Sequence, residues 1–240
     1  MIPDSVFHVL SWMPRISPPT TQEQSLGSEQ NIWQSGSSKF VGHMGTRGTA
    51  FSNIASLKEY YNIEEVWVNS KRLETRVQLV REIRNKLSIN AVPVDDAESA
   101  VRGADIFNEV TRLENPEILI RDEWVKENYL LITYGWVMAT DPRTIKRASK
   151  VVVDDWEQCC KGGQLHPLLE DGRLRREDVH GEIGEIATQL LPGREVHDGV
   201  IVFWHRGFAI SDIMLGSQIL DIVEKEDIGT AVTLFDQADE

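Results

Sequence analysis

The stretch KFVGHMGTRGTAFSNIASLKEYYNIEEVWVNSKR, residues 39–72, combines an apolar start, a glycine-rich turn, a helical run and a second apolar segment. This order is typical of the βαβ unit that opens a dinucleotide-binding fold. Gly42, Gly45 and Gly48 follow one another at intervals of three residues, and Arg47 stands where the fingerprint G-x-G-x-x-G has its second glycine. The stretch is therefore interpreted as a nucleotide loop, a degraded one or a simple glycine-rich turn.

The rest of the chain repeats this alternation of apolar segments and helical runs. Strands alternating with helices at this spacing predict a Rossmann-type α/β fold with a doubly wound parallel sheet. Helices are predicted at residues 52–62, 73–87 and 141–149. Six strands are expected, at residues 39–44, 64–70, 89–95, 105–111, 129–135 and 150–155.

The segment before this alternation has a different composition. Residues 15–38 are rich in Ser, Gln, Pro and Gly and carry few branched apolar residues, which is typical of linkers. We expect residues 1–38 to form a flexible N-terminal arm. Residues 39–240 are expected to form the dinucleotide-binding domain, which ends in a C-terminal helical extension.

Composition excludes several classes of partner. The net charge of −13 argues against nucleic acids and anionic membranes, because both attract clustered Lys and Arg. No run approaches the roughly 20 apolar residues of a membrane span, and the N-terminus lacks the basic start of a signal peptide.

Cys159 and Cys160 are adjacent, which favours two reduced thiols and a cytoplasmic protein. The histidines lack the spacing of metal ligands, so no metal site is expected.

The turn after the first predicted strand is the candidate phosphate-binding loop. Small residues in such a turn let backbone N–H groups approach a pyrophosphate at the helix N-terminus. Gly45, Gly48 and Ala50 are small. The side chain of Arg47 either points outward, where it pairs with a phosphate, or fills the phosphate position itself.

The end of the second predicted strand selects between the two nicotinamide dinucleotides. An Asp or Glu at this point would bind the ribose hydroxyls of NAD. The chain instead has Ser70, Lys71 and Arg72. Two cations suit the 2′-phosphate of NADP, so NADP is the expected cofactor and NAD the alternative. The same two residues would also be explained, without any ligand, as solvent-exposed side chains at the start of a helix.

A series of short motifs begins at the sixth predicted strand. The motifs are Val153-Asp154, Gly163-Gln164-Leu165, Gly181 to Glu185, Pro192-Gly193-Arg194 and Phe203 through Asp212. Their order and spacing resemble those of the ornithine cyclodeaminase/mu-crystallin family, over roughly residues 39–235. Against the loop of that family, Gly-x-Gly-x-Gln-(Ala/Gly)-Arg, the opening stretch is a variant of a dinucleotide loop that departs at Arg47, Thr49 and Phe51.

The resemblance implies an NAD(P)-dependent oxidoreductase of amino-acid metabolism. Dehydrogenases, imine reductases and cyclodeaminases of the family act on amino or imino acids, and the reaction would move hydride between the nicotinamide and the substrate Cα. On this basis the cofactor-binding residues are expected to be Gly45, Thr46, Arg47, Gly48, Thr49, Ala50, Ser70, Lys71, Arg72, Val110, Thr111, Gly135 and Asp212.

Three departures from the family pattern bear on catalysis. Family members carry a large N-terminal domain that holds the substrate carboxylate and supplies a dimer surface, whereas 38 residues precede the first predicted strand here. Bulky residues replace polar ones after the fifth predicted strand, at residues 136–138. Bulky residues also stand beside the expected nicotinamide, at residues 204–206.

His205 and Asp141 are the candidate catalytic residues. His205 suits a general acid toward an imine, because an imidazole ordinarily titrates near neutral pH. A bulky filler of an abandoned pocket is the alternative for His205. A helix N-cap explains Asp141 better than catalysis does, and capping also explains the pair Glu182 and Glu185.

Two further functions stay open at this point. The chain is either a non-catalytic NAD(P)-binding or scaffold protein, or one subunit of a complex whose partner supplies the substrate domain. A small amino or imino acid is the expected ligand of an active enzyme, and both homo- and hetero-oligomers are compatible with the sequence.

Overall fold

The computed structural model describes residues 38–207 and 209–230. In this part of the chain, eight parallel strands form one sheet in the order β3-β2-β1-β4-β5-β8-β6-β7. The strands are β1 (Phe40–Met44), β2 (Glu65–Asn69), β3 (Asn90–Pro93), β4 (Ile106–Glu109), β5 (Tyr129–Thr133), β6 (Lys150–Val153), β7 (Gly181–Glu182) and β8 (Val200–Trp204).

Helices cover both faces of this sheet, as expected for parallel strands, which are buried on two sides. Two short 3₁₀ turns add to them, at Asp122–Trp124 and Arg176–Asp178. The helices of the described residues are α1 (Ala50–Tyr60), α2 (Leu73–Leu87), α3 (Ala97–Val101), α4 (Pro142–Lys146), α5 (Trp156–Cys159), α6 (His166–Glu170), α7 (Ile183–Ala187) and α8 (Ala209–Lys225).

The predicted α/β fold with a doubly wound parallel sheet is confirmed, and each of the six expected strands is present. Strands β7 and β8 are additions to those six. Strand β8 lies between β5 and β6, although it follows both in sequence. This insertion brings the segment after β8 next to the ends of β5 and β6.

Alternate residues of β1 belong to two separate cores. Val41 lies in one buried cluster with Ile54 and Leu57 of α1. Met44 lies in the other buried cluster with Phe107. Because successive side chains of a strand point to opposite faces, β1 links the two cores.

Gly42 permits the close packing of α3 against β1. A Cβ built at this position would overlap the carbonyl oxygen of Ala100 and the ring of Phe107. A side chain therefore cannot be accommodated at Gly42 without moving α3.

The two ends of the chain are described unequally. Of the predicted N-terminal arm, residues 1–38, only Ser38 lies within the described residues. Helix α8 follows β8 as the expected C-terminal extension. None of the helices among the described residues has the length and apolar character needed to cross a membrane.

Candidate functional site

The carboxyl ends of the parallel strands lie along one edge of the sheet, and the candidate site follows this edge. From β1 the sheet extends toward β2 and β3 on one side and toward β4 and β5 on the other. In open α/β sheets, ligands bind in the crevice outside the carboxyl ends where the strand order reverses in this way. The predicted loop, residues 45–50, leaves β1 at this crevice.

Gly45 fixes the start of the loop. Its φ of +107° lies in a region that favours glycine. A Cβ built there would lie 2.6 Å from the carbonyl oxygen of Val110, and the Gly45 N–H donates to the carbonyl of Asn69 at 2.9 Å. Gly45 thus brings the ends of β1, β2 and β4 into backbone contact.

The middle of the loop is open to solvent. Arg47 and Gly48 are exposed, and a Cβ built on Gly48 would meet no atom within 4 Å. Thr49 precedes α1 without making a side-chain capping bond to its first turn. The N-terminal N–H groups of this 11-residue helix are therefore not capped by Thr49, and such groups favour an anion. The exposure of Arg47 fits the alternative in which its side chain points outward.

A cluster of hydroxyl groups joins this loop to the segment after β2. Thr46 Oγ1 donates to Thr75 Oγ1 at 2.9 Å, and Ser70 Oγ lies 3.1 Å from the same oxygen. Lys71 and Arg72 are exposed at the beginning of α2. Their side chains form no ion pair within residues 38–207 and 209–230 as described. The two predicted parts of the cofactor site, the loop after β1 and the segment after β2, are thus adjacent.

Glu109, the last residue of β4, is a buried carboxylate that sequence reasoning missed. Its Oε1 accepts the Thr111 N–H at 2.7 Å, and its Oε2 accepts the Gly135 N–H at 3.0 Å and Gln164 Nε2 at 2.5 Å. Gln164 in turn accepts the hydroxyl of Thr140. Glu109 therefore fixes the loops after β4 and β5, where Thr111 and Gly135 were predicted to approach the cofactor.

Burial raises the pKa of Glu109, because the apolar surroundings disfavour its charged form. The hydrogen bonds from Thr111, Gly135 and Gln164 offset part of this rise. The sequence signal that could have identified Glu109 is a carboxylate at the end of an apolar strand. Its partner Gln164 lies 55 residues away in the sequence, so the local pattern does not show their contact.

Asp154 and His205 meet at the ends of the paired strands β6 and β8. Nδ1 of His205 lies 3.0 Å from Oδ2 of Asp154, although its N–H is not directed straight at that oxygen. The same carboxylate accepts the backbone N–H of Arg206 at 2.6 Å and that of Gly207. The His205 ring packs edge-on against Tyr134, with 4.6 Å between ring centroids. Asp154 therefore holds both the imidazole and the segment after β8.

Several effects act on the pKa of Asp154. Desolvation by burial would raise it, but the interaction with His205 and the backbone N–H groups of Arg206 and Asp155 lower it by more. The net result is a lowered pKa. Asp154 is therefore a stable anion, which suits it to orient His205.

Asp141 acts as a helix cap in the structure. Its carboxylate accepts the backbone N–H of Arg143 at 2.9 Å and pairs with the Arg143 guanidinium at 2.7 Å. The hydrogen bond from the Arg143 side chain lowers the pKa of Asp141. The capping alternative thus describes its observed contacts, and a catalytic role for Asp141 stays a prediction.

The remaining candidates are placed less fully. Asp212 lies in α8, but its side chain is not among those described. Both cysteines are free, with Cys159 buried and Cys160 exposed. Within the described ranges, no group of three or more His, Cys, Asp or Glu side chains is arranged to hold a metal ion.

The sequence matches the family model for ornithine cyclodeaminase/mu-crystallin over residues 34–227. The chain belongs to this family. The match includes the loop after β1, the Asp154–His205 pair and the start of α8.

Two curated relatives illustrate the family. The chain is 28% identical over 181 residues to N-((2S)-2-amino-2-carboxyethyl)-L-glutamate dehydrogenase of Staphylococcus aureus, a match that covers 75% of this chain and 53% of the relative. It is 26% identical over 203 residues to alanine dehydrogenase of Archaeoglobus fulgidus, covering 82% of this chain and 61% of the relative. The chain thus spans little more than half the length of these two relatives.

Solved structures support the same fold. Delta(1)-pyrroline-2-carboxylate reductase of Thermococcus litoralis, in complex with NADH and L-proline, superposes with a TM-score of 0.80 at 20% identity, over 95% of this chain and 66% of that one. An archaeal alanine dehydrogenase dimer with bound NAD superposes with a TM-score of 0.77 at 23% identity, over 96% of this chain and 66% of that one.

Proposed function

We propose that this chain binds a nicotinamide dinucleotide along the carboxyl edge of its sheet and transfers hydride to or from the Cα of an amino or imino acid. One observation carries the proposal. At the crevice beside β1, Gly45 packs directly on Val110, and the N-terminus of α1 stands behind it without a side-chain cap. That combination of a close backbone approach and a helix N-terminus without a side-chain cap favours a pyrophosphate.

The proposed cofactor position follows from the order of the strands. The pyrophosphate would lie against residues 45–50, and the adenosine would lie beside residues 70–72 after β2. The nicotinamide would extend the other way, past Thr111 and Gly135, whose N–H groups are held by Glu109. The fixed backbone at these two residues supports this placement, because a rigid loop positions a ring more accurately than a free one.

We propose a preference for NADP over NAD. No carboxylate follows β2 before the start of α2, and Asn69 donates its side-chain amide to the carbonyl of Val94 at 3.0 Å. Asn69 is thereby turned toward β3. Lys71 and Arg72 are then the charged side chains at the end of this strand, and they suit a 2′-phosphate.

The proposed proton donor is His205. When bound, the nicotinamide ring supplies or accepts the hydride. In the reductive direction, the imine nitrogen of the substrate takes a proton from the His205 imidazole as its carbon is reduced. Asp154 orients the ring, and the proton given to the substrate is replaced from solvent after each turnover.

The comparisons support the class of reaction, since the curated relatives include dehydrogenases and Delta(1)-pyrroline-2-carboxylate reductases. A second proposal is that a partner chain contributes the substrate-binding half. A complex of that kind would bind the dinucleotide here but would be inactive without its partner.

The test begins with calorimetric titration of the purified protein with NADPH and, separately, with NADH. We expect micromolar binding with NADPH preferred. Turnover is then followed through oxidation of the reduced nicotinamide, with Delta(1)-pyrroline-2-carboxylate or with pyruvate plus ammonia as substrate. Binding without turnover would favour the partner-dependent complex. Failure of both dinucleotides to bind at millimolar concentration would refute the proposed function in either form.

A further inference from the structure

Helix α8 exposes several large apolar side chains to solvent. Ile213 is 70% exposed, Leu220 61%, Ile222 58% and Ile219 45%. Single exposed apolar residues are common on protein surfaces, whereas a contiguous group of them marks a site of interaction. These four residues, together with Gly216 between them, form the α8 face.

The spacing of its residues gives the α8 face a central depression. Gly216 lies three or four residues from each of Ile213, Ile219 and Leu220, so these side chains surround it on the helix surface. Gly216 is exposed, and a Cβ built on it would meet no side chain or neighbouring backbone of the described residues within 4 Å. Glycine is unfavourable in a helix interior relative to alanine, and close packing of a second helix over it offsets that cost.

The first 14 residues of the chain have a composition that suits this face. Eight of them are Met, Ile, Val, Phe, Leu or Trp. Val6, Val9, Leu10 and Met13 stand at positions i, i+3, i+4 and i+7, which is the spacing of one face of a helix. Prolines stand at positions 3 and 14, where they are typical of a helix start and of the residue beyond a helix end. The sequence therefore predicts an apolar helical face within residues 3–13.

The predicted helix and the α8 face have similar lengths. At a rise of 1.5 Å per residue, a helix over residues 3–13 is about 16 Å long. The α8 face from Ile213 to Ile222 is about 14 Å long by the same measure. One helix of this length covers the whole face.

The connection to the described part of the chain is long enough for this contact. Residues 14–37 lead to Ser38, the first described residue. A flexible linker of that length has a root-mean-square span of about 27 Å. The radius of gyration of a 240-residue domain is about 18 Å, so such a linker reaches either side of it. Tethering also gives an effective concentration on the order of millimolar, which favours this segment over a separate protein.

Charge disfavours the α8 face of a second copy as the occupant. Residues 221–227, at the end of α8 and just beyond it, carry four carboxylates and one ammonium group. Two copies of α8 laid together would bring two such acidic sets close to each other, and like charges repel. In residues 1–15 the single carboxylate, Asp4, is balanced by Arg15. This segment therefore meets no comparable repulsion.

The apolar run after α8 is too short to be the occupant. Residues 231–235, Ala-Val-Thr-Leu-Phe, span at most about 17 Å when fully extended. Ile213 lies about 18 Å along the helix from Lys225, and the run begins five residues beyond Lys225. The end of the α8 face at Ile213 is thus out of its reach.

We propose that residues 3–13 of this chain dock on the α8 face and pack their apolar side over Gly216. The proposal concerns an interaction surface within the chain and does not depend on the dinucleotide. Helix α8 begins at Ala209, four residues after His205, and Ile213 lies about 6 Å further along the helix. The docked segment therefore lies close to the loop that carries the proposed proton donor.

The first experiment places a nitroxide beside the α8 face of the full-length protein. The label is attached at Ser217→Cys, an exposed position, together with Cys160→Ser, because Cys160 is the exposed thiol and Cys159 is buried. In ¹⁵N-labelled protein we expect the amide resonances of residues 3–13 to be broadened. The same label at Arg81→Cys, exposed on α2, is the matched control and is expected to leave them sharp. Equal intensities with the two labels would overturn the proposal.

A mixed sample identifies the source of the docked segment. ¹⁵N-labelled protein without a nitroxide is combined with unlabelled protein that carries the nitroxide at position 217. We expect sharp resonances for residues 3–13 in this mixture, since the contact lies within one chain. Broadening in the mixture would mean that a second copy supplies the segment. Broadening of residues 231–235 in place of 3–13 in the first sample would assign the face to the run after α8. Either result would overturn the proposal.

Cleavage by chymotrypsin tests the contact through a variant. This protease cuts after aromatic residues and leucine, so Phe7, Leu10 and Trp12 are its targets in the segment. Leu220→Asp places a charge on the α8 face and is expected to speed cleavage at these targets at least tenfold, because the undocked segment is the form that is cut. Leu190→Asp is the matched control, since Leu190 is 76% exposed and lies outside α8.

We expect the Leu190→Asp protein to be cut at the rate of the unaltered protein. Equal cleavage rates in the two variants would contradict docking on the α8 face. If Leu220→Asp does not fold, the nitroxide measurements decide, because they are made on proteins in which Leu220 is unaltered.

Discussion

Asp154 and His205 follow neighbouring strands, β6 and β8, and the Oδ2 of the first lies 3.0 Å from the Nδ1 of the second. Val153 and Trp204, the residues just before them, are paired in the sheet. The strand register therefore sets the separation of the two side chains, and the backbone N–H groups of Arg206 and Gly207 fix the carboxylate from the other side. Nδ1 of His205 is thereby held beside the carboxylate of Asp154, which is the arrangement that the proposed proton donor requires.

Asp154→Asn should lower the free energy of unfolding by about 3 kcal/mol at neutral pH, because a buried partner of several donors is lost. The folded-state pKa of Asp154 is lowered, so its stabilising contribution is present above the ordinary carboxyl range and lost as the pH falls through the lowered pKa. Urea denaturation at a series of pH values measures this. The difference between the two proteins should shrink toward zero in acid.

Asp171→Asn is the control for that measurement. Asp171 also has a lowered pKa, owing to the hydrogen bond from Arg173, but both side chains are largely exposed to solvent. Its replacement should leave the unfolding curve almost unchanged. An equal loss of stability in the two variants would mean that Asp154 is an ordinary surface carboxylate, contrary to its observed contacts.

His205→Gln should reduce the rate of imine reduction about a hundredfold while leaving the dissociation constant for NADPH unchanged, because a general acid acts on the chemical step. Stopped-flow measurement of nicotinamide oxidation separates these quantities. The exposed His197 is the control, and His197→Gln should react at the normal rate. An unaltered rate in His205→Gln would assign the proton to another group or to water.

The order of the sheet shows what the sequence could and could not predict. Alternating apolar and helical segments predicted the parallel α/β fold, because the period of hydrophobicity is a local property. The apolar run at residues 200–204 gave no indication that β8 enters between β5 and β6. Strand order depends on pairings between segments far apart in the chain, for which a single sequence carries no local signal.

The candidate site likewise has parts that the sequence could predict and parts that it could not. The loop at Gly45 could be located because a glycine pattern between a strand and a helix is local. Glu109 and Arg206 could not be interpreted from their neighbours, since their environments come from Gln164, Trp136 and Gly163. A carboxylate or a guanidinium within an apolar run indicates that the charged group is buried, but it does not indicate which residues surround it.

Gly45→Ala should destabilise the protein by about 3 kcal/mol and abolish dinucleotide binding, because its φ is positive and a Cβ would press on Val110. Gly48→Ala is the matched variant, since Gly48 has a φ of +49° and open space around it. It should cost about 1 kcal/mol and leave NADPH binding largely intact. Thermal unfolding and calorimetric titration measure the two effects. Intact binding in Gly45→Ala would place the pyrophosphate elsewhere.

Replacement of both Lys71 and Arg72 by alanine should weaken NADPH binding about tenfold or more and change NADH binding little, because the 2′-phosphate is the group that distinguishes the two ligands. The effect on NADPH should decrease as salt is added, since both side chains are exposed and their charges are screened. Arg81→Ala is the control, at an exposed position on the same helix α2. If the double variant lost NADPH and NADH affinity equally, the two cations would support the adenosine pocket in general, and the preference for NADP would have to come from another residue, such as the exposed Arg47.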